Sequence, residues 1–113
     1  MDKLKQYQDA ILHFLAQYQK ETSGSPDTGV KYRIIADREN NSFQLLSVGW
    51  NGKQHIFGPI FHFDILEGKI WIQCNNTERE VVDELMAAGV LREDIVLGFL
   101  SPHARQFSGF AVA

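Results

Sequence analysis

The sequence predicts an α+β fold: a four-stranded antiparallel meander, with an N-terminal helix and a C-terminal helix packed on one face. Three observations carry this. Residues 61–74 alternate apolar and polar, break at Gly68 and alternate again, the period of a half-buried strand met twice. Residues 3–20 repeat apolar side chains at helical spacing. Thr77-Glu78-Arg79-Glu80 has the pattern of a capping box, with Gly89 placed as the residue just past a helix end. The 113 residues are expected to form one domain, 1–113.

The first helix is expected to bury a stripe of Leu4, Tyr7, Ile11, Phe14, Leu15 and Tyr18, with Asp2 as its N-cap. Thr22 to Asp27 is a loop by composition. In the first strand Val30, Tyr32, Ile34 and Ala36 alternate with Lys31, Arg33 and Asp37. Glu39-Asn40-Asn41 reads as a turn. A second strand runs from Phe43 to Trp50, and Asn51-Gly52 is the strongest short hairpin signal. The third strand starts near Lys53. Gly58-Pro59 should impose a bulge, a bend or an edge, because proline cannot donate to a ladder.

With Glu67-Gly68 as a two-residue turn, Ile65 faces Ile70, Phe63 faces Ile72 and Phe61 faces Cys74. These six form one apolar face, and His62, Asp64, Trp71 and Gln73 form the opposite one. Val81, Val82, Leu85 and Met86 form the apolar face of the second helix. The final apolar residues, Gly109 to Ala113, are expected to pack.

A formal net charge of −3, with the basic residues scattered, makes direct nucleic-acid binding unexpected as a main role, with room left for a small local patch. A single cysteine excludes an internal disulfide and fits a reducing compartment. No stretch approaches the roughly 20 apolar residues that span a bilayer, so a cytoplasmic protein without membrane attachment is expected.

His62-x-Asp64 sets an imidazole and a carboxylate on one strand face, the start of a metal site or an acid–base pair. A catalytic metal wants three protein ligands, and the sequence has no second such pair and no Cys-x-x-Cys. The favoured reading is a polar hairpin face shared with Trp71 and Gln73, with Cys74 a buried structural thiol. No cofactor or metal site is expected. His13 reads as a helix-boundary residue, and His55 has no evident partner. Ser101 to Phe107 is the most informative irregular segment. His103, Arg105 and Phe107 suit a grip on an anion or a partner protein, or else a loop whose Arg105 pairs with a nearby carboxylate. Both readings stand at this level.

Val48-Gly49-Trp50, the hairpin from His62 to Gln73, Asn76-Thr77-Glu78, Asp94 to Phe99 and the ending Arg105 to Ala113 together resemble the XisI-like family. These are the fdxN element excision controlling factors of cyanobacteria. The resemblance implies a small accessory protein. The family's namesake is needed by a site-specific recombinase to excise a DNA element during heterocyst development, beside a nuclease-related companion, XisH. It implies no catalytic residues. The expectation is therefore a non-enzymatic regulatory subunit that binds an XisH-like protein through His103, Arg105 and Phe107. The alternatives are a direct DNA-binding cofactor of a recombinase and a small enzyme using His62 and Asp64. Open sheet edges further lead us to expect a two-fold homodimer.

Overall fold

The structure is a computed structural model that describes residues 2–22 and 29–113. The chain order is α1 (Lys3–Thr22), β1 (Gly29–Asp37), β2 (Ser42–Asn51), β3 (Gln54–Leu66), β4 (Lys69–Asn75), α2 (Val81–Ala87), a 3-10 turn (Arg92–Asp94), β5 (Ile95–Leu97) and α3 (Pro102–Arg105). The α+β class holds, but the sheet has five strands in the order β1-β2-β3-β4-β5. The first four form the antiparallel meander. β5 corrects the expectation: it pairs in parallel with β4, setting Ile70 beside Ile95 and Ile72 beside Leu97. Parallel neighbours need a crossover, and α2 with its flanking turns supplies it. Three residues are too few to show an alternation, so β5 has no signature of its own.

The core lies between the inner face of the sheet and the helices α1 and α2. Tyr7, Ala10, Ile11, Phe14 and Leu15 of α1 pack with Phe43 and Leu45 of β2, Phe61, Phe63 and Ile65 of β3, and Ile70 and Ile72 of β4. α2 adds Val81 and Leu85, and Val90 and Ile95 close the far side. Phe14 meets Phe61 and Phe63 edge-on at 5.0 and 5.9 Å between ring centres. Asp2 caps α1 as expected, its Oδ1 accepting from the Lys5 N–H at 3.3 Å. Leu4 departs from the expected stripe and stays exposed. The loop assigned to Thr22–Asp27 lies outside the described residues beyond Thr22.

Glu67 and Gly68 form the two-residue turn expected, both at positive φ (51° and 78°), the signature of a type I′ hairpin. The Ile65–Ile70 and Phe63–Ile72 pairs follow. The Phe61–Cys74 pair does not. A bulge leaves Gln73 without an opposite residue, so Cys74 faces His62 and Asn75 faces Phe61. The added residue brings Asn75 to the side of the sheet where the crossover begins. There its Oδ1 accepts from the Thr77 N–H and hydroxyl, and its Nδ2 donates to the Arg79 carbonyl. Cys74 is consequently half-buried, its thiol 3.8 Å from the Ile60 carbonyl oxygen.

The capping box does not form. Thr77 spends its hydroxyl oxygen on the Arg79 N–H, and α2 starts only at Val81 with no side-chain cap on Glu80. Its other end follows expectation. Val90 N–H bonds the Leu85 carbonyl and Gly89 N–H the Met86 carbonyl, a Schellman motif with Gly89 at the position after the cap.

A second bulge lies in β3. Leu45 faces Phe61 and Leu46 faces Pro59, leaving Ile60 unpaired. Continuing the register straight on from Asn51–Gln54 would set His62 opposite Phe43 and mix the two faces. The bulge beside Pro59 restores them. The connecting turn is Gly52-Lys53, one residue later than Asn51-Gly52. Beyond Pro59, β3 has only β2 beside it, so this end of the sheet projects past β4 and the radius of gyration is 14.9 Å.

The third helix also corrects the sequence reading. Ile70 and Ile72 enter the core, so Trp71 between them points to the outer face, and the segment containing α3 covers it there. Helical structure therefore occupies both faces. Ala111 bridges Val96, and its N–H bonds the Ile95 carbonyl. Val96, which pairs with Trp71, is fully buried under this segment. Val112 remains exposed, so the apolar tail packs only in part.

Candidate functional site

The outer face of β2–β4 brings together the expected polar group and adds two residues to it. Asp64 is the hub. Its Oδ1 accepts from the Ser42 hydroxyl at 2.6 Å and from His62 Nε2 at 3.0 Å, and its Oδ2 from Gln73 Nε2 at 3.4 Å. His62 Nδ1 meets the Gln44 side-chain oxygen at 2.9 Å. The His62 and Asp64 side chains are 26% and 22% exposed, so the cluster is mostly out of water and almost wholly satisfied by itself. Ser42 and Gln44 carry no motif of their own in the sequence. The needed signal was the forced bulge near Pro59, which sets them opposite Asp64 and His62. Ile35, Asp37, Ser42, Gln44 and His62 line a shallow hollow of about 230 Å³ above this network.

Chemically the network is closed. Both ring nitrogens of His62 are occupied by protein groups, and the Ser42 hydroxyl is turned to the carboxylate, not to the imidazole. The base within reach of the Ser42 proton is therefore the weakly basic Asp64 carboxylate, which already accepts from His62 and Gln73. Among the described residues, no group of three or more His, Cys, Asp or Glu is arranged to hold a metal ion. Burial pushes the Cys74 thiol up from its ordinary value, away from the thiolate that nucleophilic or metal chemistry requires.

Next to this cluster lies the segment 101–107. Ser101 caps α3, accepting from the Ala104 N–H. Arg105 lies over the Trp71 ring, 4.8 Å from its centre, and donates to the carbonyls of Leu100 (3.0 Å) and Val112 (3.4 Å). It pairs with carbonyls and a ring, so of the two readings of the segment the carboxylate pair does not form. Gly98 makes the approach of this segment to the sheet feasible: a Cβ there would stand 2.6 Å from Gln73 Oε1 and 3.1 Å from the Trp71 ring. Phe107 follows with 77% of its surface in water, and His103 meets it edge-on at 5.6 Å. The structure thus separates the three residues. Arg105 fixes the segment, while His103 and Phe107 face outward.

Three fixtures that hold these elements in place left no local pattern. Tyr7 donates to the buried Asp94 carboxylate at 2.6 Å, Lys3 pairs with the same oxygen, and the Leu91 N–H bonds the tyrosine oxygen. Burial raises the Asp94 carboxyl, but the Lys3 and Tyr7 bonds outweigh it and hold the group below its ordinary value. Gln8 reaches the Arg38 carbonyl and Asn41, locking α1 to the β1–β2 turn. Arg79 binds Glu84 through two nitrogens and Glu21 through a third, beside the rings of Phe14 and Tyr18. No helix among the described residues is long and apolar enough to cross a membrane.

A family model described as XisI protein matches residues 1–112. The crystal structure of a XisI-like protein from Anabaena variabilis ATCC 29413 is 41% identical and superposes with a TM-score of 0.89, covering 97% of this chain and 99% of that one. The crystal structure of the fdxN element excision controlling factor XisI from the same strain is 37% identical, with a TM-score of 0.85, covering 99% of this chain and 100% of that one. The comparison with curated proteins gave no match.

Proposed function

Because this chain belongs to the XisI family, we propose that it is a non-enzymatic accessory protein of DNA-element excision that acts by binding a protein, with an XisH-like, nuclease-related protein as the partner. The observation that carries the reading is Phe107. A large apolar side chain stands 77% exposed on a segment immobilised by Arg105. Holding the loop in advance lowers the ordering cost of association, and a rigid exposed aromatic is the kind of residue that dominates binding energy. The self-satisfied Asp64 network supports the non-enzymatic part, since both His62 nitrogens are engaged by protein groups and neither faces the Ser42 hydroxyl.

We further propose a two-fold dimer formed through the outer edge of β1, which has β2 as its only strand neighbour. Gln19 of α1 covers one backbone group of that strand by donating to the Tyr32 carbonyl at 2.8 Å, so pairing would use the rest of it. A half-buried lone cysteine suits a reducing, cytoplasmic setting. Purification from the native host with identification of the co-eluting protein tests the central claim. Co-elution of an XisH-like protein that is lost on Phe107→Ala supports it. Co-elution unchanged by that substitution would move the contact elsewhere, and the absence of such a protein would remove the proposed partner.

A further inference from the structure

The projecting end of the sheet carries an aromatic shelf that the reading above does not use. Leu46 pairs with Pro59, Val48 with Phe57 and Trp50 with His55, and β1 sets Arg33 and Lys31 beside Leu46 and Val48. Paired residues project from the same side, so these side chains share the outer face. Trp50 and Phe57 are 56% and 70% exposed. His55 lies between them, its ring centre 4.6 Å from that of Trp50 and 6.5 Å from that of Phe57, nearly parallel to the latter. The result is a run of flat π surfaces on an open sheet.

The charge of this half-face is the reverse of the protein's. Lys31 and Arg33 are exposed on it, and Lys53 stands in the turn at its tip. None of the three forms an ion pair among the described residues. No described Asp or Glu pairs into these rungs. Asp37 and Asp64, the carboxylates of the same face, sit at the other end. Lys31 and Asp37 are about 20 Å apart at the rise of an extended strand.

We propose that this shelf binds single-stranded nucleic acid, with bases stacked on Trp50 and Phe57 and phosphates along Lys31, Arg33 and Lys53. Exposed aromatics on a sheet beside unpaired cations are what such chains use, because every base offers a π face and every linkage a charge. A second copy of the chain fits worse. It would bury unpaired cations against a face that has no carboxylate to receive them. Duplex DNA fits worse too, since its bases are already stacked and three cations alone give weak binding. The inference stands apart from the protein-partner reading, which uses the 101–107 segment.

The test uses the full chain and a labelled oligothymidylate, followed by fluorescence anisotropy against salt. Binding should weaken with a log–log slope of about −2, as three phosphate contacts on a single strand imply. Trp50→Ala and Phe57→Ala should each weaken it about tenfold while leaving the thermal midpoint nearly unchanged, since both rings are largely in water. Absence of binding at low salt overturns the proposal. So does binding that depends on Lys31 and Arg33 but is indifferent to both ring variants. Polyglutamate competing as well as oligothymidylate would assign the shelf to an acidic polypeptide. A loss of dimer mass in Trp50→Ala with no effect of the oligonucleotide would assign it to a second copy, and either result sinks the nucleic-acid reading.

Discussion

The Arg105 guanidinium carbon stands 4.8 Å from the centre of the Trp71 ring, joining the last helix to the outer face of β4. The same group donates to the Leu100 and Val112 carbonyls, so one side chain ties both ends of the C-terminal segment to the sheet. The residue most suggestive of binding in the sequence is thus the one that shapes the surface, and its neighbour Phe107 presents it.

Stability and binding should therefore separate within this segment. Arg105→Ala removes a cation–π contact and two charged hydrogen bonds, and is expected to cost about 1–3 kcal/mol. A double change with His103→Ala should show the same loss, because His103 is exposed. Phe107→Ala should stay within about 0.5 kcal/mol of the parent and weaken capture of an XisH-like protein at least about tenfold. Denaturant melts paired with pull-down separate the two effects. A stable Arg105→Ala would show that the clamp is dispensable.

Phe63→Ala is expected to destabilise the fold by about 3–5 kcal/mol. Phe63 is fully buried, stacks on Phe61 and meets Phe14 edge-on. Urea unfolding measures this, and a loss below 1 kcal/mol, the typical cost of an ordinary substitution, would contradict the packing described.

Acid should loosen the contact between α1 and the start of β5. The Asp94 carboxyl is held below its ordinary value in the fold, so its contribution is fully present above the unfolded value near pH 4 and is lost as pH falls through the lower, folded one. Asp94→Asn should lower stability at neutral pH and flatten the acid limb of the stability profile. An unchanged acid limb in the variant would show that other carboxylates set it.

Duplex DNA of random sequence should bind more weakly than micromolar at near-physiological salt. The net charge is −3, and Lys31, Arg33 and Lys53 at the projecting end of the sheet are too few for tight duplex binding. Sub-micromolar anisotropy curves would favour a direct DNA-binding cofactor.

Light scattering at high protein concentration should give twice the mass of the 12.9 kDa chain. A monomer mass would show that the edge of β1, with Gln19 on its Tyr32 carbonyl, needs no second copy to cover it.

The residues alone determine the antiparallel meander, the inward set Phe61, Phe63, Ile65, Ile70 and Ile72, the two-residue turn at Glu67-Gly68 and the glycine stop after α2. Each depends on a period of two or on a residue's own backbone preference, which neighbours along the chain express without help. They also carry enough shared pattern to point to the family. Both bulges, the parallel β5, the failure of the capping box and the clamp of Arg105 on Trp71 were decided only in three dimensions. Asn75 shows why. It reaches Thr77 because an unpaired Gln73 turns it toward the crossover, opposite Phe61, whose ring packs on Phe14, far away in sequence. The same holds for Tyr7 and Asp94, 87 residues apart and joined at 2.6 Å. Such contacts form between groups that share no local period, so their partners are fixed by where the core places the backbone.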